Sequence, residues 1–403
     1  MLTSLDKVKP LSLFKERDFA LLLTGQFISA LGDKIHYIAL GVWVYRLTGS
    51  PLEVGKMTVA ALLPYLLYGL VAGVYVDRWD KKRTMIISDL LRALLVVSIP
   101  AIINISVNLV YLLTFLITTI SMFFNPAKMS VIPSLFPREK ILAATSLAES
   151  VENITEILGY ALAGLVAALI SMEQVFYLDA VTFLISAFII MGMDFKSQES
   201  VPGKTRVFQD VKEGLYFIRN NETLLVTLAV YCLVLLVFSG FNPLIFVYAL
   251  ESLGVSAFSL GVLEAMHAVG ITFGGLALSF WGSRVAKGQM IIRGYLISGA
   301  TIALLGIFPS YPLALVGFFF TGLSNAMFFI PIQAIFQELT PAAMRGRVFS
   351  ARFAFTRIAL MSSVALLTFI ASETGVEKVY MISGLILVLI ALVTRKFKAF
   401  QAS

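Results

Sequence analysis

The sequence predicts an all-α polytopic membrane protein, with twelve transmembrane helices arranged as two pseudo-symmetric six-helix halves. Three observations lead there. Of 403 residues, 59% are hydrophobic and only 14% charged, where a soluble domain carries roughly a quarter. The cations gather in short loops between apolar runs. A shift of 205 residues lays parts of the chain on itself, placing Gly49 on Gly254, Pro126 on Pro331 and Met85-Ile86-Ile87 on Met290-Ile291-Ile292.

Roughly 20 apolar residues cross the hydrocarbon layer as a helix. The apolar runs place spans at about 17–46, 53–76, 84–106, 108–130, 141–171, 174–193, 222–250, 256–281, 290–308, 312–336, 347–371 and 376–394. Helices are the only open elements available, because lipid offers backbone groups no partner. The alternating ten-residue strands of a membrane barrel are absent from the pattern. The first run, Phe19 to Tyr45, exceeds a signal-peptide core and lacks a small-residue cleavage site, so it reads as a retained span.

Charge sets the orientation. With a cytoplasmic N-terminus, Lys7, Lys9, Lys15 and Arg17 precede the first span on the cytoplasmic side. Arg78, Lys81, Lys82 and Arg83 follow the second span on that side, and Arg395, Lys396 and Lys398 follow the last. Only Arg46, Lys56 and Lys378 lie outside. This is the positive-inside pattern, and it predicts cytoplasmic termini in a bacterial inner membrane. The expected division is 1–193, a linker at 194–221, and 222–403. Within the linker, Val207, Phe208, Val211, Leu215 and Ile218 share one side opposite Gln209, Asp210, Lys212 and Glu213, the pattern of an amphipathic surface helix.

Composition also excludes. A single cysteine, Cys232, rules out a disulfide framework and a cysteine metal site. The net charge of +7 sits in loops and reads as topology rather than a nucleic-acid surface. No lysine-bearing phosphate loop and no nucleophile–histidine pair stands out. The loops are too short for a catalytic domain. An enzyme or an ATP-driven pump is therefore disfavoured, no cofactor is expected, and a monomer among membrane lipids is the expected form.

The most specific local motif is Gly73-Val-Tyr-Val-Asp77-Arg78-Trp-Asp80-Lys81-Lys82-Arg83. It resembles the loop signature of the major facilitator superfamily: Gly, three residues, Asp-Arg, then a basic run. The resemblance implies that Asp77 locks the cytoplasmic side when the halves close, with a partner near Arg345-Gly346-Arg347. The family often has glycine where this chain has Asp80. Gly25 to Asp33, Val76 to Asp80, and Phe124-Asn125-Pro126-Ala127-Lys128 followed by Ile132-Pro133-Ser134-Leu135 are similar to the drug and siderophore exporter branch. That branch includes macrolide efflux proteins and the enterobactin exporter, and implies proton-driven export. The Asn-Pro-Ala-Lys stretch is also similar to lysophospholipid transporters, so a lipid cargo is the alternative. Antiporters of the superfamily commonly carry Gly-Pro in the fifth span. Here the pair is Gly159-Tyr160.

Ionisable residues inside spans are costly and point to function. In the fifth span Glu149, Glu152, Asn153 and Glu156 fall within an arc of about 100°. Three carboxylates on one face cannot all be charged cheaply, so the stripe either couples protons or pairs with cations of neighbouring helices. The first span carries Asp33, His36 and Tyr37 on one face. Lys34 diverges from Asp33 and is expected to pair with another helix, the acidic stripe being one choice. Glu264 and His267 in the eighth span share a face; proton relay, polar substrate binding and local hydrogen bonding all suit them. Two ligands are too few for a metal. Arg352 is placed to snorkel to the interface, while Arg357 lies deep enough to need an acid. Phe123, Phe124, Phe318, Phe319, Phe320, Phe328 and Phe329 suit either an apolar pocket or lipid. The expected function is proton-coupled export of amphipathic small molecules, the halves rocking around a central site.

Overall fold

The computed structural model describes residues 10–69, 72–194, 207–397 and 400. The side chains of Pro10, Leu11, Val74, Asp77, Val207, Phe208, Trp281 and Ser283, and the surroundings of Gly73, lie outside that description. So do Lys7, Lys9, Lys398 and the first part of the linker.

The described residues form helices and no strand. In chain order they are α1 (Arg17–Thr48), α2 (Pro51–Tyr68), α3 (Ala72–Arg78), α4 (Lys81–Ile103), α5 (Val107–Leu135), α6 (Arg138–Leu169), α7 (Met172–Met191) and α8 (Val207–Arg219). There follow α9 (Glu222–Phe238), α10 (Phe241–Val247), α11 (Ala257–Trp281), α12 (Lys287–Ile307), α13 (Tyr311–Leu339), α14 (Arg345–Thr374) and α15 (Val376–Thr394). Among the described residues, ten helical segments are long and apolar enough to cross a membrane. Neither α1 nor α2 is one of them. Asp33, Lys34 and His36 dilute α1, and α2 is described only as far as Tyr68, since residues 70 and 71 lie outside the described residues.

Many outward side chains are large and apolar, among them Leu94, Phe188, Phe280 and Leu389. Such a surface is untenable in water and suits hydrocarbon.

The internal repeat is written into the backbone. Gly49 and Gly254 both adopt φ +60°, the left-handed region that glycine enters without steric cost. Each ends a span just before the next helix begins. Pro126 and Pro331 sit inside α5 and α13, both 29 residues long.

The chain divides into two compact units. One comprises Met1–Leu40 and Leu63–Thr205, the other Gly41–Leu62 and Arg206–Ser403. In the first, Phe19, Leu22, Val76, Met85, Phe124 and Val131 belong to one buried cluster. In the second, α12 and α15 cross where a Cβ on Gly299 would stand 2.7 Å from the Gly384 carbonyl. Small residues at such crossings let membrane helices approach closely. The outer turns of α1 and the first part of α2 belong to this unit. Gly41 lies under the Phe246 ring and Gly55 under Thr368, and the Tyr45 hydroxyl donates to Glu251 at 2.5 Å.

One span differs from the apolar pattern. The seventh span, expected unbroken over 222–250, is cut at Ser239–Gly240 into α9 and α10. The second span is described as α2 to Tyr68 and as α3 from Ala72, residues 70 and 71 lying outside the described residues. The amphipathic linker segment does form a helix, α8, and packs on the start of α14.

Candidate functional site

In the first unit, α1 is the hub. A Cβ on Gly32 would stand 2.3 Å from Asp179 Oδ1 and 2.2 Å from Thr182 Oγ1, so the bare glycine brings α7 against α1. On α6, a Cβ at Gly159 would stand 2.8 Å from Lys34 Cγ. These close approaches put the polar residues of α1 within reach of three neighbours.

On the α4 side, Arg92 pairs with Asp89 one turn before it and reaches Asp33 at 3.5 Å. Its guanidinium also lies 4.2 Å over the Phe183 ring. On the α7 side, His36 Nδ1 and Asp179 Oδ2 are 2.9 Å apart, with the Phe176 ring edge-on to the imidazole. Asp89 is 0% exposed, Asp179 1% and Arg92 4%. The Asp33 side chain is 45% exposed and lies within electrostatic reach of Arg92, Asp179, His36 and Asp89. Three aspartates thus surround one permanent cation and one imidazole, with Asp33 at the open edge.

The acidic stripe of α6 meets cations. Lys34 Nζ donates to Glu156 at 2.7 Å and to the Tyr160 hydroxyl at 3.4 Å, and lies 4.7 Å from the centre of the Tyr160 ring. The residue standing where antiporters carry proline is therefore a partner of Lys34. Tyr37 packs edge-on to the same ring. Lys128 of α5, itself buried, reaches Glu152 at 3.2 Å, and Gln26 donates to that carboxylate at 3.3 Å. Glu149 and Asn153 are exposed and stand apart from these pairs.

In the second unit, a cavity of about 280 Å³ opens between α2, α9, α10, α11, α13 and α14. Glu264 and His267 line it with Asn242 and Asn325, against Phe238, Phe241 and Phe318. His267 Nδ1 is 3.1 Å from Thr321 Oγ1, where Gly322 leaves room for the α11 backbone.

The arginines of α14 divide. Arg352 does not snorkel. It is 6% exposed, donates to Gln333 Oε1 at 2.5 Å, and faces the rings of Phe336, Phe349 and Tyr231. Aromatic faces supplied by α9, α13 and α14 itself replace the interface as its solvent. Arg357 lies 5.0 Å over Phe353. Of the phenylalanines, Phe124, Phe318 and Phe328 are buried, whereas Phe320 and Phe329 are exposed.

At the signature motif, Asp80 caps α4: its side chain accepts from the Arg83 N–H at 2.7 Å, a role glycine cannot fill. Arg78 and Arg83 are exposed. Arg347 engages α8 instead of standing free, at 3.3 Å from Asp210 and 2.8 Å from Glu213. Gly73 and Asp77 lie in α3, and their side chains are outside the described residues.

Sequence reasoning missed Asp179 and left Asp89, Arg92 and Lys128 out of the site. The signal for each was an ionisable residue inside an apolar span.

A family model described as transmembrane secretion effector matches residues 8–402. An uncharacterized MFS-type transporter of Bacillus subtilis, YfiS, is 29% identical, covering 93% of this chain and 91% of its own. Macrolide efflux protein A of Streptococcus pyogenes is 26% identical over 93% of this chain and 94% of its own. Multidrug efflux pump Tap of Mycolicibacterium fortuitum is 25% identical over 83% and 84%. Among solved structures, the nucleoside transporter NupG superposes with a TM-score of 0.78 over 94% of this chain and all of its own, at 12% identity. A bacterial homologue of the iron transporter ferroportin reaches 0.71, covering 94% of this chain and 99% of its own, at 15% identity. These two structures establish the shared fold.

Proposed function

Because the chain belongs to the transmembrane secretion effector family of major facilitator transporters, we propose that it is a proton-coupled antiporter exporting amphipathic small molecules. The protein is a multi-pass membrane transporter, not an enzyme. Similarity to efflux proteins supports export as the direction. The Lys and Arg distribution supports cytoplasmic termini in a bacterial inner membrane.

One observation carries the coupling: Asp33, Asp89 and Asp179 share the single permanent cation Arg92 and the imidazole of His36. If all three acids are ionised and His36 is neutral, the cluster holds a net negative charge. An uncompensated buried charge costs several kcal/mol. One proton, on His36 or on an aspartate, reduces that charge. Asp33 is the open member, through which protons enter and leave. Asp89 and Asp179 are sealed and hold Arg92 and His36 in place. Alternating access of the two halves then exchanges this proton for cargo. Glu152 and Glu156, each matched by a lysine, keep α6 tied to α5 and α1.

The test is flux in proteoliposomes under an imposed pH gradient, with ethidium as the cargo. Gradient-dependent ethidium movement is expected, falling to leak level when an ionophore collapses the gradient. Asp33→Asn should reduce the driven flux at least tenfold. Flux indifferent to the gradient would remove the antiport reading.

A further inference from the structure

We propose that the cavity of the second unit binds the ammonium group of a lipophilic organic cation, with Glu264 as its counter-anion. This rests on the transport reading only in taking the occupant to be cargo; the binding chemistry stands separately.

The seventh span is interrupted beside the cavity. Ser239 and Gly240 interrupt the helix, and the freed Gly240 N–H donates to Ser363 Oγ of α14 at 3.0 Å. A Cβ on Gly240 would stand 2.6 Å from the Leu367 side chain, so the break is pressed against α14. Ser239 and Gly240 both keep right-handed helical dihedrals, so the interruption is a local loss of helical bonding, and Ser239, Phe241 and Asn242 line the space beside it.

The chemistry of the wall selects the occupant. Among the described residues lining the cavity, Glu264 is the sole acid and is 4% exposed. His267, 3.1 Å from Thr321 Oγ1, is the one titratable base among them, and neither lysine nor arginine lines the space. Phe238, Phe241 and Phe318 form a continuous aromatic run, with centroids 6.1 Å and 5.1 Å apart along it. A carboxylate beside aromatic faces is the arrangement that recognises a desolvated ammonium. An anion entering the same space would meet like charge and the electron-rich ring faces. Asn325 offers a hydrogen-bonding amide for a polar substituent. The volume of about 280 Å³ is at the small end for ligand sites. It holds an amine and one ring, so a larger cargo enters by its amine end.

The experiment compares two probes of one shape and opposite charge, phenyltrimethylammonium and benzenesulfonate, on the full chain in a neutral detergent without any gradient. Thermal stabilisation titrated against each probe gives the apparent affinity. The cation should stabilise the wild-type protein saturably, and the anion should not. Glu264→Gln should weaken the cation at least tenfold, with Glu264→Asp losing less. If the Gln variant does not fold, Phe238→Leu serves, with a loss of several-fold expected because its ring is half-buried at the wall. Equal response to both probes, or unchanged cation affinity in the variants, overturns the proposal. Cation binding without gradient-driven flux would sink the antiport reading and leave the site standing. Driven flux without cation selectivity would do the reverse.

Discussion

Lys34 reaches Glu156 at 2.7 Å by crossing the bare face of Gly159. A Cβ there would stand 2.8 Å from Lys34 Cγ and 2.9 Å from its Cβ, atoms too close to the α1 backbone to swing aside. Gly159→Ala should therefore cost about 1–3 kcal/mol through overpacking, and Gly159→Val more. Thermal unfolding in detergent reads the stability. The flux assay reads whether the displaced lysine also uncouples transport. An alanine variant with wild-type melting would show that α1 and α6 are not held this tightly.

Arg92 is the one permanent cation among three aspartates, and its removal leaves buried acid unmatched. Breaking a buried pair from one side costs about 3–5 kcal/mol. Arg92→Met should lower the melting temperature strongly, and adding Asp89→Asn to that variant should recover part of the loss. A double-mutant cycle measures the recovery directly. Strictly additive losses would mean that Arg92 and Asp89 do not act on one another.

The spans could be read from the sequence because lipid permits little besides a helix, so a long apolar run settles its own structure. Pairing across helices was less legible. That Lys34 would seek another helix follows from its divergence from Asp33, but only packing names Glu156 and places Tyr160 beneath the ammonium. Asp179 is a lone acid in the apolar run of α7, the kind of intramembrane charge that points to function. The buried placement of Arg352 is not legible in its own run because two of its three aromatic partners, Tyr231 and Phe336, come from α9 and α13. The break at Ser239–Gly240 was hidden for another reason: glycine inside an apolar run does not lower hydropathy enough to interrupt it. Asp80, a departure from the family pattern, is explained by local chemistry as the cap of α4.

Ser363 accepts from the Gly240 N–H at the interruption between α9 and α10. Ser363→Ala leaves that buried donor without this acceptor, at a cost of about 1–3 kcal/mol. On the same helix, exposed Ser372 bonds only its own preceding turn. Ser372→Ala should fall within about 0.5 kcal/mol of wild type. Melting curves of the two variants decide the matter, since equal stabilities would show that Ser363 contributes nothing to the break.

Arg347 fastens α8 to the head of α14 through Asp210 and Glu213. All three side chains are more than a third exposed, so each pair contributes only about 0.2–1 kcal/mol. Backbone contact does more: a Cβ on Gly214 would stand 2.0 Å from the Arg347 carbonyl oxygen, and no rotamer relieves that clash. Arg347→Ala should therefore raise amide exchange across 207–219 several-fold while melting barely moves. Gly214→Ala should raise it further, because it forces α8 off the backbone it rests on. Asp210→Asn with Glu213→Gln should reproduce the Arg347 effect and add nothing to it. Hydrogen exchange read by mass spectrometry resolves these cases. Exchange in α8 that ignores Arg347 but responds to Gly214 would assign the docking to shape alone.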